Sequence, residues 1–156
     1  MRQHYLSEGL LYPLYFPKQM HHLAILTKKP NFLDLILKRK KTIESRWYQT
    51  KRTPYNNIKK GDIIFLKNSG EPVTAKSDVS KVLQFDLKQT KVKDILNKYG
   101  KHICINSDKG LKEKNYCILI FLKNPKKVKP FKINKAGYGN MSAWITVKNI
   151  YALQVN

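Results

Sequence analysis

The chain has 156 residues, the length of one domain with a short extension, and 42% of them are hydrophobic, which excludes a disordered polymer. Its 31 Lys and Arg residues against 10 Asp and Glu give a formal net charge of +21. Such an excess favours polyanionic partners, unless the lysines reflect only the compositional drift of an AT-rich genome. The two cysteines, Cys104 and Cys117, form no CxxC pair, so a disulfide framework is excluded and a reduced, cytoplasmic setting is expected.

Residues 1–20 read as an arm ahead of a domain over 21–153. Pro13 and Pro17 break any helix there, and Leu10, Leu11, Tyr12, Tyr15 and Phe16 would need a surface to cover. The arm is thus an extension packed on the domain or the product of an upstream start codon, and Met20 looks like a natural domain start. The apolar run Leu10 to Phe16 is too short to span a bilayer and has no signal-peptide flanks, so no membrane partner is expected.

His21 to Leu26 suits a first strand. Neighbouring His21 and His22 would face opposite sides of it and chelate poorly, so neither a metal nor any other cofactor is predicted. Pro30 can open a helix, where its missing N–H costs nothing. Phe32, Leu33, Ile36 and Leu37 supply that helix's apolar stripe, and Lys38 to Lys41 its basic end. Thr42 to Trp47 alternates as a strand does, with Thr42, Glu44 and Arg46 on one face and Ile43 and Trp47 on the other.

A polar, basic loop over 48–60 leads through Lys60-Gly61-Asp62 into a strand from Ile63 to Lys67. Asp62 and Asp78 are expected at turns or strand ends. After the turn Ser69 to Pro72, Val73 to Phe85 reads as one or two strands. Val92 to Tyr99 has helical spacing and is closed by Gly100. Asn115 to Leu122 and Val128 to Ile133 read as two strands. Ala136 to Ser142 is a glycine-containing loop, and Ala143 to Leu153 a final strand. Many short strands with two helices point to an α+β, mostly β fold: a small mixed barrel with a helix plugging one end.

At Lys40-Lys41-Thr42-Ile43-Glu44-Ser45-Arg46 the chain resembles the ASCH family of the PUA-like superfamily, whose signature is a helix, a glycine and then roughly K-x-x-E-x-R entering a strand. Further similar stretches are His22 to Ile25, Pro30 to Leu37, Ile58 to Leu66, Ser69 to Val73 and Ser142 to Val147. Together they cover about residues 21–150 in family order. The chain departs from the signature at Arg39, where the family has glycine. Either Arg39 takes a left-handed conformation or the helix exits differently.

The resemblance implies a PUA-like barrel with a pocket lined by the signature, and a superfamily that reads RNA and modified bases. One small relative removes the acetyl group from N4-acetylcytidine with a threonine nucleophile and an activating lysine, and others have been linked to ribonuclease activity. Here Lys41 matches that lysine, whereas Glu44 stands at the threonine's place.

The expected ligand-binding residues are therefore Lys41, Glu44 and Arg46, where a carboxylate held by cations can accept from a base's amino group. Lys67, Tyr138 and Trp144 join them, Lys67 as a cation, Tyr138 as an exposed stacking ring and Trp144 as either a second stacking ring or core; Trp47, on the face of Ile43, is expected in the core. Three readings stand side by side. One is a binding module for RNA or a nucleotide. Another is a hydrolase on an acylated nucleoside or RNA, with Lys41 and Glu44 as its catalytic residues. The third is a small regulatory protein whose lysines are only compositional; Lys41, Glu44 and Arg46 can also be read as a structural ion pair bracing the helix–strand junction. No Ser-His-Asp order or phosphate-cradling glycine loop appears.

Overall fold

A computed structural model describes residues 3–5, 11–13, 18–139 and 141–156. Near the N-terminus β1 (Gln3–Tyr5) pairs antiparallel with β2 (Leu11–Pro13). The rest of the expected arm up to residue 17, Tyr15 and Phe16 included, lies outside the described residues.

The main sheet uses β3 (His21–Leu26), β4 (Ile43–Tyr48), β5 (Ile63–Asn68), β6 (Val73–Asp86), β7 (Tyr116–Ile133) and β8 (Trp144–Val147), in the order β4-β7-β6-β5-β3-β8. The short β9 (Gln154–Val155) pairs with the far end of β7. The β3–β5 pair is parallel and its neighbours are antiparallel, so the sheet is mixed. It curls into a half-barrel whose edge strands, β4 and β8, are not hydrogen-bonded to each other.

The concave face holds the largest apolar cluster. It includes Ala24 and Leu26 of β3, Ile64 and Leu66 of β5, and Ile118 and Ile120 of β7. Helix α1 (Phe32–Leu37) sets Leu33 and Ile36 on this cluster. Six residues are too few for a free-standing helix; burial of those two side chains, about 1.5–3 kcal/mol each, holds it in place. Helix α2 (Val92–Ile103) covers another part of the sheet, with Ile95 and Ile103 against Ile43, Cys117 and Leu119. A third cluster joins Leu23, Phe65, Phe131, Ile145 and Ile150. No helix among the described residues is long and apolar enough to cross a membrane.

Several boundaries differ from the sequence reading. Pro30 does not open α1: it precedes Asn31, whose side chain caps the helix by accepting from the Asp34 N–H. Lys38 already lies beyond the last helical residue. Gly100 does not close α2, which ends at Cys104 with φ 64°. Gly100 serves close approach instead, since a Cβ there would meet the Ile105 carbonyl oxygen at 2.8 Å. The two strands expected after residue 115 are one 18-residue strand, β7, which carries a left-handed residue at Asn124. The final segment leaves β8 after Val147 and turns through a 3-10 helix at Ile150–Leu153.

Candidate functional site

The end of α1 positions the site. Arg39 takes φ 59°, the conformation for which glycine is favoured. The N–H groups of Lys40 and Lys41 then both donate to the Leu35 carbonyl, at 2.9 and 3.0 Å. The turn drives Lys41 inward, where it is only 1% exposed. Its ammonium donates to the carbonyls of Ile103 (2.6 Å) and Ile43 (2.9 Å) and lies 4.6 Å from the Phe32 ring centroid. Burial pulls the pKa of Lys41 below the usual lysine value, against the opposing attraction of Glu44.

Glu44 and Arg46 follow on the concave face of β4, opposite Ile120 and Ile118 of β7. Glu44 is 3% exposed. Its Oε1 accepts from the Ser45 N–H at 2.9 Å and stands 3.6 Å from the Lys41 ammonium. Its Oε2 accepts from Arg46 Nη2 at 3.4 Å. One short hydrogen bond and two long ionic contacts leave acceptor capacity unused, because a carboxylate offers about four lone-pair sites.

Arg46 crosses from β4 to the opposite edge of the sheet. It donates to the carbonyls of Ala143 (3.4 Å) and Ile25 (3.3 Å), and its guanidinium lies 5.1 Å from the Trp144 ring centroid. It thus bridges the seam between the edge strands.

A cavity of ≈300 Å³ opens here, walled by Leu26, Phe32, Glu44, Arg46, Trp47 and Tyr48. A second cavity, ≈570 Å³, is lined by Arg52, Thr53, Asn57, Tyr138, Trp144 and Thr146. Two cation–aromatic pairs link the walls of the two cavities: Arg46 over Trp144, and Arg52 over Tyr48 at 5.3 Å. A larger cavity of ≈650 Å³ along Asn56, Lys60, Val82 and Gln84 contains neither Glu44 nor Arg46.

The structure therefore brings Lys41, Glu44, Arg46 and Trp144 together. Trp144 is only 5% exposed, so it offers no free stacking face; its ring supports Arg46 instead. Tyr138 is 40% exposed and lines the second cavity. Lys67 does not converge with the group. It pairs in register with Ile25 and follows Phe65 onto the face of β5 that carries the third cluster. Trp47 is partly buried against the cluster beneath α2, and its indole donates to Ser45 Oγ at 3.0 Å.

A second polar centre was not foreseen. His22 and Asp62 are both fully buried, with His22 Nε2 2.8 Å from Asp62 Oδ2. The Trp144 indole can only donate and lies 3.2 Å from His22 Nδ1, so that nitrogen is the acceptor and Nε2 carries the proton. Thr146 Oγ1, 2.9 Å from the same Nδ1, must likewise donate to it. Burial lowers the pKa of His22, outweighing the attraction of Asp62 and keeping the ring neutral. Asp62 also accepts from the Met20 and Lys59 N–H groups and the Lys59 ammonium. Burial alone would raise its pKa, but these hydrogen bonds together lower it. The available signal was His22 alternating with Ala24 and Leu26: a histidine on an apolar face needs a buried partner.

No family model matches the chain, and no curated protein matches it. Solved structures do. The ASCH protein of Zymomonas mobilis is 14% identical, with a TM-score of 0.62 over 87% of this chain and 96% of that one. Two of its point variants give TM-scores of 0.62 and 0.64 at 13% and 14% identity; the alignments cover 86% and 90% of this chain and 99% and 100% of theirs. With the mixed half-barrel and its helices, these likenesses establish that the chain has the fold of the ASCH domain.

Proposed function

We propose that the protein binds RNA or a modified nucleotide, with a base edge seated against Glu44. The observation that carries this reading is a buried carboxylate with unused acceptor capacity on the wall of a ≈300 Å³ cavity. A base amino group is a fitting donor for it, while Phe32 and Tyr48 offer apolar and aromatic wall. Burial raises the Tyr48 phenol pKa, against the pull of Arg46 and Arg52, so it stays a neutral hydrogen-bonding group. The surplus of lysine and arginine supplies long-range attraction for phosphate. Lys41 is the anchor of Glu44 in this arrangement: its ammonium is directed at two carbonyls and the carboxylate.

Glu44→Gln keeps the shape of the side chain and removes its charge. It is expected to weaken binding of a cytosine- or adenine-containing ribonucleotide about tenfold, the scale of one charge-assisted hydrogen bond. Lys41 then keeps a buried ammonium without its anionic partner, so the melting temperature is expected to fall and affinity is compared per folded molecule. Calorimetric titration of both proteins with the four ribonucleotides measures this; equal affinities for the two proteins would remove Glu44 from the ligand site.

A further inference from the structure

We infer that the cavity beside Arg52 is a phosphate subsite of the Glu44 pocket, so that the ligand is phosphorylated, a nucleotide or an RNA strand, rather than a free nucleoside. This rests on the base-binding reading of that pocket, but the observations behind it are separate. Arg52 is exposed and lines the ≈570 Å³ cavity. Its guanidinium makes no salt bridge or hydrogen bond to any described residue, and its interaction is with the Tyr48 ring. Arg46, by contrast, is tied to Glu44 and to two carbonyls.

The other polar groups of this cavity are also suited to donate. Thr53 Oγ1 already accepts from the Asn57 amide at 2.6 Å, which leaves its own proton free. The Asn57 amide retains a second N–H, and the Tyr138 phenol is exposed at the rim. No Asp or Glu lines the cavity. A cation and several donors without a carboxylate make a site for an anion, and a planar guanidinium fits two phosphate oxygens at once.

Position supplies the link to the base. Tyr48 lines the Glu44 cavity and carries Arg52. Trp144 lines the Arg52 cavity and carries Arg46. A ligand whose base meets Glu44 therefore has its sugar beside these two pairs and its phosphate within reach of Arg52.

The test compares ribonucleosides, their monophosphates, a four-nucleotide RNA and inorganic phosphate on the parent protein, Arg52→Ala and Glu44→Gln. Calorimetry gives the affinities, and amide and side-chain NMR shifts locate the contacts. Monophosphates are expected to bind about tenfold more tightly than their nucleosides. In Arg52→Ala that difference should fall below about threefold with nucleoside affinity unchanged, whereas Glu44→Gln should weaken nucleoside and nucleotide alike. A further gain from monophosphate to tetranucleotide that is also lost in Arg52→Ala would identify an RNA strand as the source of the phosphate; no gain would identify a mononucleotide. The subsite is overturned if nucleosides and monophosphates bind the parent equally, or if Arg52→Ala weakens both to the same degree. If nucleosides do not bind at all, the base reading fails by itself. Phosphate-dependent shifts at Thr53, Asn57 and Tyr138 that vanish in Arg52→Ala would then still support the anion site, and their absence would end it.

Discussion

Two buried carboxylates stand in the half-barrel, and they are finished to different degrees. Asp62 accepts four hydrogen bonds, from His22, the Met20 N–H and two groups of Lys59. Glu44 is as inaccessible, yet it has one short bond and two contacts of 3.4 and 3.6 Å. A closed inventory is what a structural ion pair needs, because an unmet buried charge is costly. An unfilled one beside a cavity is what a binding site needs. Burial alone does not distinguish the two carboxylates; the number and length of their contacts do.

The largest effects should come from breaking each centre. Asp62→Ala removes the partner of His22 and of the Met20 N–H, and is expected to destabilise the fold by about 3–5 kcal/mol. Ligand affinity per folded molecule should not change. Lys41→Met leaves the Ile43 and Ile103 carbonyls without their donor and should cost about 3 kcal/mol or more, while also weakening binding because Glu44 loses its anchor. Urea melts paired with ligand titration separate these outcomes. If Asp62→Ala lowers affinity as much as Lys41→Met does, the contrast between the two carboxylates is wrong.

Acidification should act next, and on the closed centre. His22 has its pKa lowered from 6.5 by burial, so below about pH 6.5 the unfolded chain takes up a proton that the folded ring refuses. Stability is fully present above that value and falls as pH drops toward the folded pKa. His21, also lowered by burial and by Lys76, adds in the same direction. Asp62, lowered from 3.8, contributes stability above that value that is lost only in stronger acid. A melting temperature that declines between about pH 7 and pH 5 in the parent, and declines less in His22→Gln, is the expected pattern.

The smallest effect concerns the turn that delivers Lys41. Arg39 holds φ 59°, and Arg39→Gly should relieve a cost of about 1 kcal/mol, partly offset by the greater freedom of glycine in the unfolded chain. A slight rise in melting temperature with unchanged affinity would sharpen the view that this turn only positions Lys41. A drop would show that the Arg39 side chain contributes contacts of its own.

Much of this arrangement was legible because it is local. The alternation Glu44, Arg46 against Ile43, Trp47 placed the first two on one face, and β4 obeys it. The opposite faces of His21 and His22 also follow from period two: His21 meets the Phe65 ring and His22 the Trp144 ring. What could not be read depends on distant partners. One of the two carbonyls that receive Lys41 belongs to Ile103, 62 positions away, and Asp62 meets His22 across 40. Asp62 read as a turn residue because Lys60-Gly61 precedes it, and nothing local says that the turn is buried. The side of Lys67 is hidden for a related reason: it sits one residue before the end of β5, whose alternate faces are both largely covered, so its face is assigned only by β3 lying beside β5.

The seam between β4 and β8 gives Arg46 a second character. The half-barrel has no backbone ladder there; one guanidinium reaches across to the Ala143 carbonyl and the Trp144 ring. An anion that recruits the same guanidinium competes with those contacts, so filling the pocket and breathing of the β8 edge are linked by mass action. Under the proposed reading, the side chain that closes the seam is also the one such a ligand draws away, so occupancy of the pocket should raise amide exchange along β8.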